Sequence, residues 1–457
     1  MNSDPISKLL DLILSPYGIL GIVIGLFILD KATRSRRLAW LLFAFCCYAT
    51  SLGKYQDEWI TEPPPLVFPL QQLRDMGRPV TIVLLILLII LGMQTRNGWR
   101  RIIIPQPVYY LIAFQVAVFF KVLIYGDVAF ALLAIITFGA IVLMFKLGPS
   151  RWLQDEHNFR LGVWSLAMAG VIFAIGCAYQ GRFNMSAMTF VQGRFLGTTG
   201  NSQHAAALLA GTVPCFMFLI ESRKKWDWIK ALWIALLLVV AYFLFLTASR
   251  TGAIMGISSI LFFYRNRAGS LLRLGLFVGV LLGVIFWFIS PEAITESTPA
   301  SNRFISGANT REGAWSGMWN GFMSNPFFGS PLYGGRLVFG ENSWLAAGDT
   351  TGLIGFIPIV MMGLGCLKMM FELHKLSNRK PTYFLHSSTV IAGLAGLLVG
   401  SFSEAILLGN LSFPVFSLLM YLSLGKYLLD LDRMEKKYLL SQKIPNSAWE
   451  NRINFYI

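Results

Sequence analysis

Long apolar runs alternate with short polar stretches along almost the whole chain. Clear examples are residues 80–91, 129–143, 231–246 and 271–289. These runs approach the ~20 residues that a helix needs to cross ~30 Å of hydrocarbon. They are not built from alternating polar and apolar positions, which is the pattern of barrel strands, so the chain is predicted to cross a membrane as helices.

The apolar runs predict about twelve or thirteen spans in one membrane domain covering residues 1–457. The number is twelve if the N-terminal stretch does not cross. The predicted spans are 6–29, 38–52, 79–93, 102–125, 128–145, 161–179, 204–220, 231–247, 252–264, 271–289, 350–371, 384–403 and 410–429. The pattern leaves one large polar loop, 290–349, and a basic tail, 430–457, and thus predicts an all-α polytopic membrane protein.

The composition excludes a soluble fold. Of 457 residues, 55% are hydrophobic and only 13% are charged, and the mean hydropathy is +0.61, which leaves too little polar surface to cover a globule. The net charge of +15 comes from lysines and arginines in short loops beside spans, so we expect the lipid bilayer and no nucleic acid as partner. The five cysteines all lie in apolar runs without metal-ligand spacing, so we expect packing roles, no metal and no cofactor.

The distribution of basic residues predicts the orientation. Alternate loops, together with the tail, hold 26 lysines and arginines, whereas the other set holds ten, so the richer set is assigned to the cytoplasm. This places 53–78, 180–203, 290–349 and the junction at Ser249-Arg250 outside. The ten outer basic residues are Lys8, Lys54, Arg74, Arg78, Arg182, Arg194, Arg250, Arg303, Arg311 and Arg336.

Eight of these ten residues are arginine, whose planar fork of donors suits phosphate groups. Rim charge or snorkelling is the ordinary explanation for any single one. Arg250 is the least ordinary, because almost no loop separates the two spans around it and its charge is held at the membrane surface. Lys121 and Asp127, in or near two spans, are expected to form an ion pair, or Lys121 to snorkel.

Two polar segments carry further candidates. Residues 180–204 are rich in glycine around Arg194 and Asn201, which suits an anion or sugar ligand, although a turn with Asn201 capping the next span explains the same residues. In the long loop, Trp315, Met318, Trp319 and Phe322 have helical spacing, which predicts a short amphipathic helix with Arg311 in its first turn.

The order of three motifs over about residues 190–360 resembles the O-antigen ligase and polysaccharide polymerase superfamily. The motifs are Arg194-Phe-Leu-Gly197 with Asn201; Ser249-Arg250-Thr-Gly252; and Arg311…Trp315…Asn325-Pro326-Phe-Phe-Gly329 followed by Glu341-Asn342-Ser343-Trp344-Leu345…Gly352-Leu-Ile-Gly355. The resemblance implies a GT-C-like, metal-independent glycosyltransferase of the bacterial inner membrane with its active site on the periplasmic face. Its donor would be an undecaprenyl-diphosphate-linked oligosaccharide and its acceptor a second glycan, with polysaccharide chain-length or export proteins as further partners.

The resemblance also implies residue roles. Arg250 and Arg311 match the arginines that bind the diphosphate, and Arg194 matches another basic position near it. Asn201, Arg336 and Asn342 are further candidates for binding the glycan or diphosphate. Ligases of the family have a histidine where this chain has Glu341, which favours a polymerase with Glu341 as the general base.

Several alternatives remain open. Glu341 could instead form a salt bridge with Arg336 or Arg311, and Asp349 and Glu404 are reserve candidates for the base. The chain could be a ligase that transfers finished glycan onto a lipid or protein. It could also be a transporter or flippase of lipid-linked sugars, although we find no convincing repeat between its halves.

Overall fold

The structure is a computed structural model that describes residues 25, 27–52, 63–94, 104–190, 193–266, 269, 311–332 and 339–442. These parts of the chain are helical, with no strand among them. After a helical segment over 27–34, the helices are α1 Arg36–Ala49, α2 Leu70–Asp75, α3 Gly77–Gln94, α4 Gln106–Tyr125, α5 Val128–Leu147, α6 Pro149–Trp152, α7 Glu156–Phe183, α8 Ser202–Glu221, α9 Trp228–Leu246, α10 Arg250–Phe263, α11 Glu312–Ser324, α12 Ser343–Arg379, α13 Phe384–Ser401 and α14 Phe413–Gln442.

Nine helices within the described residues are long and apolar enough to cross a membrane. They are α3, α4, α5 with α6, α7, α8, α9, α12, α13 and α14. The all-α polytopic prediction is therefore confirmed. The predicted span 252–264 corresponds to α10, which is apolar but has only 14 residues. The predicted span 271–289 and most of 6–29 lie outside the described residues, so twelve or thirteen spans stays a prediction.

The bundle packs around α8, α10, α13 and α14. Small residues allow the closest approaches: a methyl group on Gly393 would meet the ring of Tyr421, and one on Gly396 would meet Ser259. Small residues at helix interfaces are the usual way to pack helices in lipid, where burial of apolar surface gives no driving force. In contrast, α5 and α9 expose most of their apolar surface and lie at the periphery.

Loops that the basic residues assign to the same side of the membrane lie at the same end of the bundle. At one end, Arg194 contacts Thr247 and Gln203 contacts Glu404. At the other end, Arg36 pairs with Asp155, and Arg379 and Lys380 pair with Asp432. The alternation predicted from the basic residues is therefore present in the fold, while the assignment of each end to a membrane face stays a prediction.

A break in α12 explains two of the sequence motifs. Gly352 has φ +63° inside the helix, and the turn over 325–329, which ends at Gly329 with φ +75°, packs against this break. The Leu353 N–H donates to Pro326 O at 2.7 Å. The glycines of both motifs are needed because a backbone from the other segment lies directly beside them.

Lys121 helps to hold this turn. Its ammonium group, on α4, donates to the carbonyl oxygens of Phe328 at 2.8 Å and Gly329 at 3.1 Å. Asp127 instead caps α5 by accepting from the Ala129 N–H. The prediction that Lys121 forms an ion pair or snorkels is therefore wrong. The buried ammonium group instead donates its hydrogen bonds to carbonyl oxygens of the turn.

Two element boundaries differ from the sequence pattern. Asn342 caps α12, so the helix begins at Ser343 and the end of the predicted loop 290–349 is already helical. At the C-terminus, α14 continues to Gln442, well into the predicted tail 430–457. In the long loop, the predicted amphipathic helix is confirmed as α11, which buries Met318 and Phe322.

We expect Gly352→Ala to destabilise the protein by at least about 1 kcal/mol. The new Cβ would lie 2.3–2.6 Å from backbone atoms of Phe327 and Phe328, at a φ that L residues rarely adopt. Gly139→Ala in α5 is the matched control, because no atom lies within 4 Å of a Cβ there. The measurement is the melting temperature of each variant in detergent, and equal values for the two variants would contradict this account of the break.

Candidate functional site

The candidate site is centred on Glu404, in the short connection between α13 and α14. Its carboxylate is buried and accepts from Gln203 Nε2 at 2.9 Å and from Arg311 Nη2 at 2.5 Å. Thr251 Oγ1 lies 3.5 Å from the same oxygen. The carboxylate thus joins α8, α10 and the start of α11 at one point.

Arg311 connects this carboxylate to a second one. Its Nη2 also donates to Thr251 Oγ1 at 3.0 Å, and its Nε lies 3.1 Å from Glu341 Oε2. The Glu341 side chain is 38% exposed, compared with 10% for Glu404, and its Oε2 is not aligned for a hydrogen bond. We call Gln203, Thr251, Arg311, Glu341 and Glu404 the Glu404 cluster.

Backbone ties fix the position of Glu404. Ser343, the first residue of α12, donates from its hydroxyl to Glu404 O at 2.9 Å and accepts from the Leu407 N–H at 3.3 Å. The Trp344 indole N–H donates to Ser401 Oγ at 3.0 Å. The start of α12 therefore holds the connection that carries the carboxylate.

Four helices begin at the cluster, and three of them, α8, α10 and α12, have a polar side-chain cap. Asn201 caps α8 by accepting from the Gln203 N–H, Ser249 caps α10, and Asn342 caps α12 by accepting from the Trp344 and Leu345 N–H groups. Helix N-termini carry partial positive charge and favour anions. The predicted ligands Asn201 and Asn342 thus use their side-chain oxygens for capping, which was the alternative explanation of Asn201.

The other predicted arginines lie in adjoining segments. Arg194 is half-buried, and its Nε donates to Thr247 O at 3.2 Å, which ties the glycine-rich segment to the α9–α10 junction. Arg250 is the half-buried first residue of α10, directly before Thr251. Arg336 lies outside the described residues, so its predicted role stays untested.

Burial raises the pKa of Glu404 from its ordinary 4.5 to about 7. The negative charge of Glu341 raises this pKa further, whereas Arg311, Arg194 and the Thr251 hydroxyl oppose the shift. A carboxyl group with a pKa near neutrality can both hold and release a proton under ordinary conditions. This property separates Glu404 from a simple ion-pair partner.

The structure brings together Arg311 and Glu341, as the sequence motif suggested, and shows the Arg311–Glu341 salt bridge that was the alternative explanation of Glu341. Of the two reserve candidates, only Glu404 joins the cluster. Asp349 accepts instead from Ser330 Oγ at 2.5 Å. Glu404 lies at the centre of the cluster although it belongs to no sequence motif. In the sequence, only its position in a short connection between two predicted spans pointed to it.

Comparison with known proteins adds no family assignment. No protein-family model matches the chain, and no curated protein matches it. Among the described residues, no group of three or more histidine, cysteine, aspartate or glutamate side chains is placed to hold a metal ion. The chemistry of the site must therefore be argued from its own side chains.

The raised pKa of Glu404 predicts a pH-dependent stability difference between wild type and Glu404→Gln. Between about pH 4.5 and 7 this group is protonated in the folded protein and ionised in the unfolded chain. Its contribution to folding stability is therefore fully present below about pH 4.5 and is lost as pH rises through about 7.

We expect the melting temperature of wild type to fall relative to Glu404→Gln by roughly 2–5 °C between pH 5 and 7.5. Glu312→Gln, which removes an exposed carboxylate one residue after Arg311, should follow the pH dependence of wild type. A Glu404→Gln difference that stays constant over this range would show that Glu404 does not titrate there.

Proposed function

We propose that the protein is a membrane glycosyltransferase that polymerises a surface polysaccharide from undecaprenyl-diphosphate-linked glycans. One observation carries the proposal: Arg311, at the start of α11, lies between two carboxylates beside three capped helix N-termini, with Arg194 and Arg250 in adjoining segments. An anion site beside a proton acceptor is what transfer from a diphosphate donor requires.

The arginines and helix N-termini are the diphosphate-binding part of the site. Arg311 presents a planar fork that can bind two phosphate oxygens, and its partial burial strengthens the charge interaction. Arg194 and Arg250 add positive charge from the segments on either side. These groups neutralise the charge that develops on the diphosphate as it leaves the sugar.

The transfer step needs a base. The acceptor hydroxyl oxygen attacks the anomeric carbon of the donor glycan, a new C–O bond forms, and the bond from that carbon to the phosphate oxygen breaks with its electron pair. The lipid diphosphate leaves, and the hydroxyl proton passes to a carboxylate. Glu341 is the carboxylate that an acceptor can reach, because it is more exposed than Glu404.

Glu404 has a different role in this scheme. It is buried behind Arg311 and bound to Gln203, so it positions the guanidinium group. When a diphosphate binds Arg311, its negative charge raises the proton affinity of Glu404 still further. Protonated Glu404 no longer competes as an anion for Arg311, which frees the guanidinium charge for the donor.

The surface next to the cluster suits a lipid-linked substrate. Four large apolar side chains on α11 and the following turn are exposed. They are Trp319, Met323, Phe327 and Phe328. Aromatic and apolar side chains in this arrangement are typical of membrane interfaces, where a polyprenyl chain would lie.

We expect Arg250→Ala and Glu341→Gln to shorten the glycan polymer in cells, at protein levels equal to wild type. Loss of a general base typically lowers the rate by a factor of about 100 or more. Arg182→Ala is the matched control, because Arg182 is an exposed arginine near the same end of the bundle and outside the cluster. Polymer of normal length in both test variants would contradict the proposal.

Deletion of the gene distinguishes the alternatives. A polymerase should leave single repeat units on the lipid diphosphate at the outer face of the membrane. Accumulation of finished, lipid-linked polymer would indicate a ligase instead. Retention of single repeat units on the cytoplasmic face would indicate a flippase.

A further inference from the structure

A cavity of about 450 Å³ lies at the end of the bundle opposite the Glu404 cluster. It is formed by the segment over 32–40, the C-terminal end of α3 and the region around α6. Its size lies within the usual range of ligand pockets, roughly 300–1,000 Å³. The 28 residues of α7 separate the cavity at one end of the bundle from the Glu404 cluster at the other. The proposed transfer reaction therefore does not use this cavity.

Three arginines line the cavity. Arg151 donates to Gly92 O at 3.0 Å, so it is anchored at the end of α3. Arg34 and Arg36 form salt bridges of 3.2 and 3.3 Å with Asp30 and Asp155, in which both partners are at least half exposed. Exposed salt bridges contribute little, so an incoming anion can replace either aspartate.

Two tryptophans form the apolar wall of the same cavity. Trp40 and Trp152 pack edge to face with ring centroids 5.1 Å apart. Trp40 is fully buried, and its indole N–H has no hydrogen-bond partner within the described structure. Trp152 is half-buried, so its ring is the aromatic surface of the cavity that a ligand can contact.

An exposed apolar face of α3 leads to this cavity. Val83, Ile86, Ile90 and Met93 recur at helical spacing and are 37–55% exposed, which makes a continuous apolar face. Gln94, the next residue, is the last of α3 and lines the cavity. A molecule with an anionic head and hydrocarbon chains would fit both surfaces at once.

We propose that this cavity binds the phosphate headgroup of an anionic phospholipid, with the acyl chains along the exposed face of α3. The arginines supply forked donors for phosphate oxygens, and the half-buried ring of Trp152 lies beside them in the same cavity. Basic pockets between spans are a recurring form of headgroup site on the cytoplasmic side. The count of basic residues assigns this end of the bundle to that side.

The test is lipid binding to the full-length protein in detergent, measured by native mass spectrometry with added phosphatidylglycerol. We expect Arg34→Gln/Arg36→Gln to weaken binding about tenfold or more. Arg223→Gln is the matched control, because it removes an exposed, paired arginine at the same end of the bundle but away from the cavity.

Three outcomes would overturn the proposal. Equal weakening by Arg223→Gln would indicate general charge attraction, and equal binding of phosphatidylcholine would show no preference for an anionic head. Competition by inorganic phosphate at the same concentration as the lipid would indicate a free-anion site. Melting temperatures equal to wild type establish that the variants are folded, and Arg36→Gln alone replaces the double variant if that one unfolds.

Discussion

The contact between Arg311 and Glu404 is the interaction on which the candidate site depends. A buried carboxylate is costly unless it is paired, and here the partner comes from the segment before α11, outside the bundle core. The same arginine reaches Thr251 and Glu341, so one side chain ties the start of α11 to α10 and to the residue before the Asn342 cap of α12. Loss of the arginine would leave Glu404 buried without its paired cation.

The charges of the Glu404 cluster determine whether Arg311 can bind an anion while it is paired with Glu404. Two carboxylates on one guanidinium leave little charge for an anionic substrate while both are ionised. Because the pKa of Glu404 is raised to about 7, one of the two carboxylates can become neutral at little cost. A neutral Glu404 would leave Arg311 with more positive charge for an anion, which is what the proposed diphosphate donor requires.

The sequence predicted the order of helices and the alternation of their ends, because apolar run length and the placement of lysine and arginine act locally. Apart from the Arg311–Glu341 pair, it could not predict which polar residues meet. The motifs at 325–329 and 351–355 form one packing unit around Gly352, which is a structural use of residues that resemble a family signature. Glu404 lacked any motif, and only the packing of α8, α10 and α12 around it shows its importance.

Arginines occur at both ends of the bundle, and their surroundings decide what each group can do. At the cluster, Arg311 is only 21% exposed and its partners are held by helix starts, so its position is fixed and its charge acts in a poorly solvated site. At the opposite end, Arg34 and Arg36 are 73% and 62% exposed, and their salt bridges with Asp30 and Asp155 are open to solvent. The first arrangement suits catalysis, which needs preorganised charge, whereas the second suits a mobile lipid headgroup. A count of charged residues along the sequence does not distinguish Arg311 from Arg34 and Arg36, whereas their different burial in the structure does.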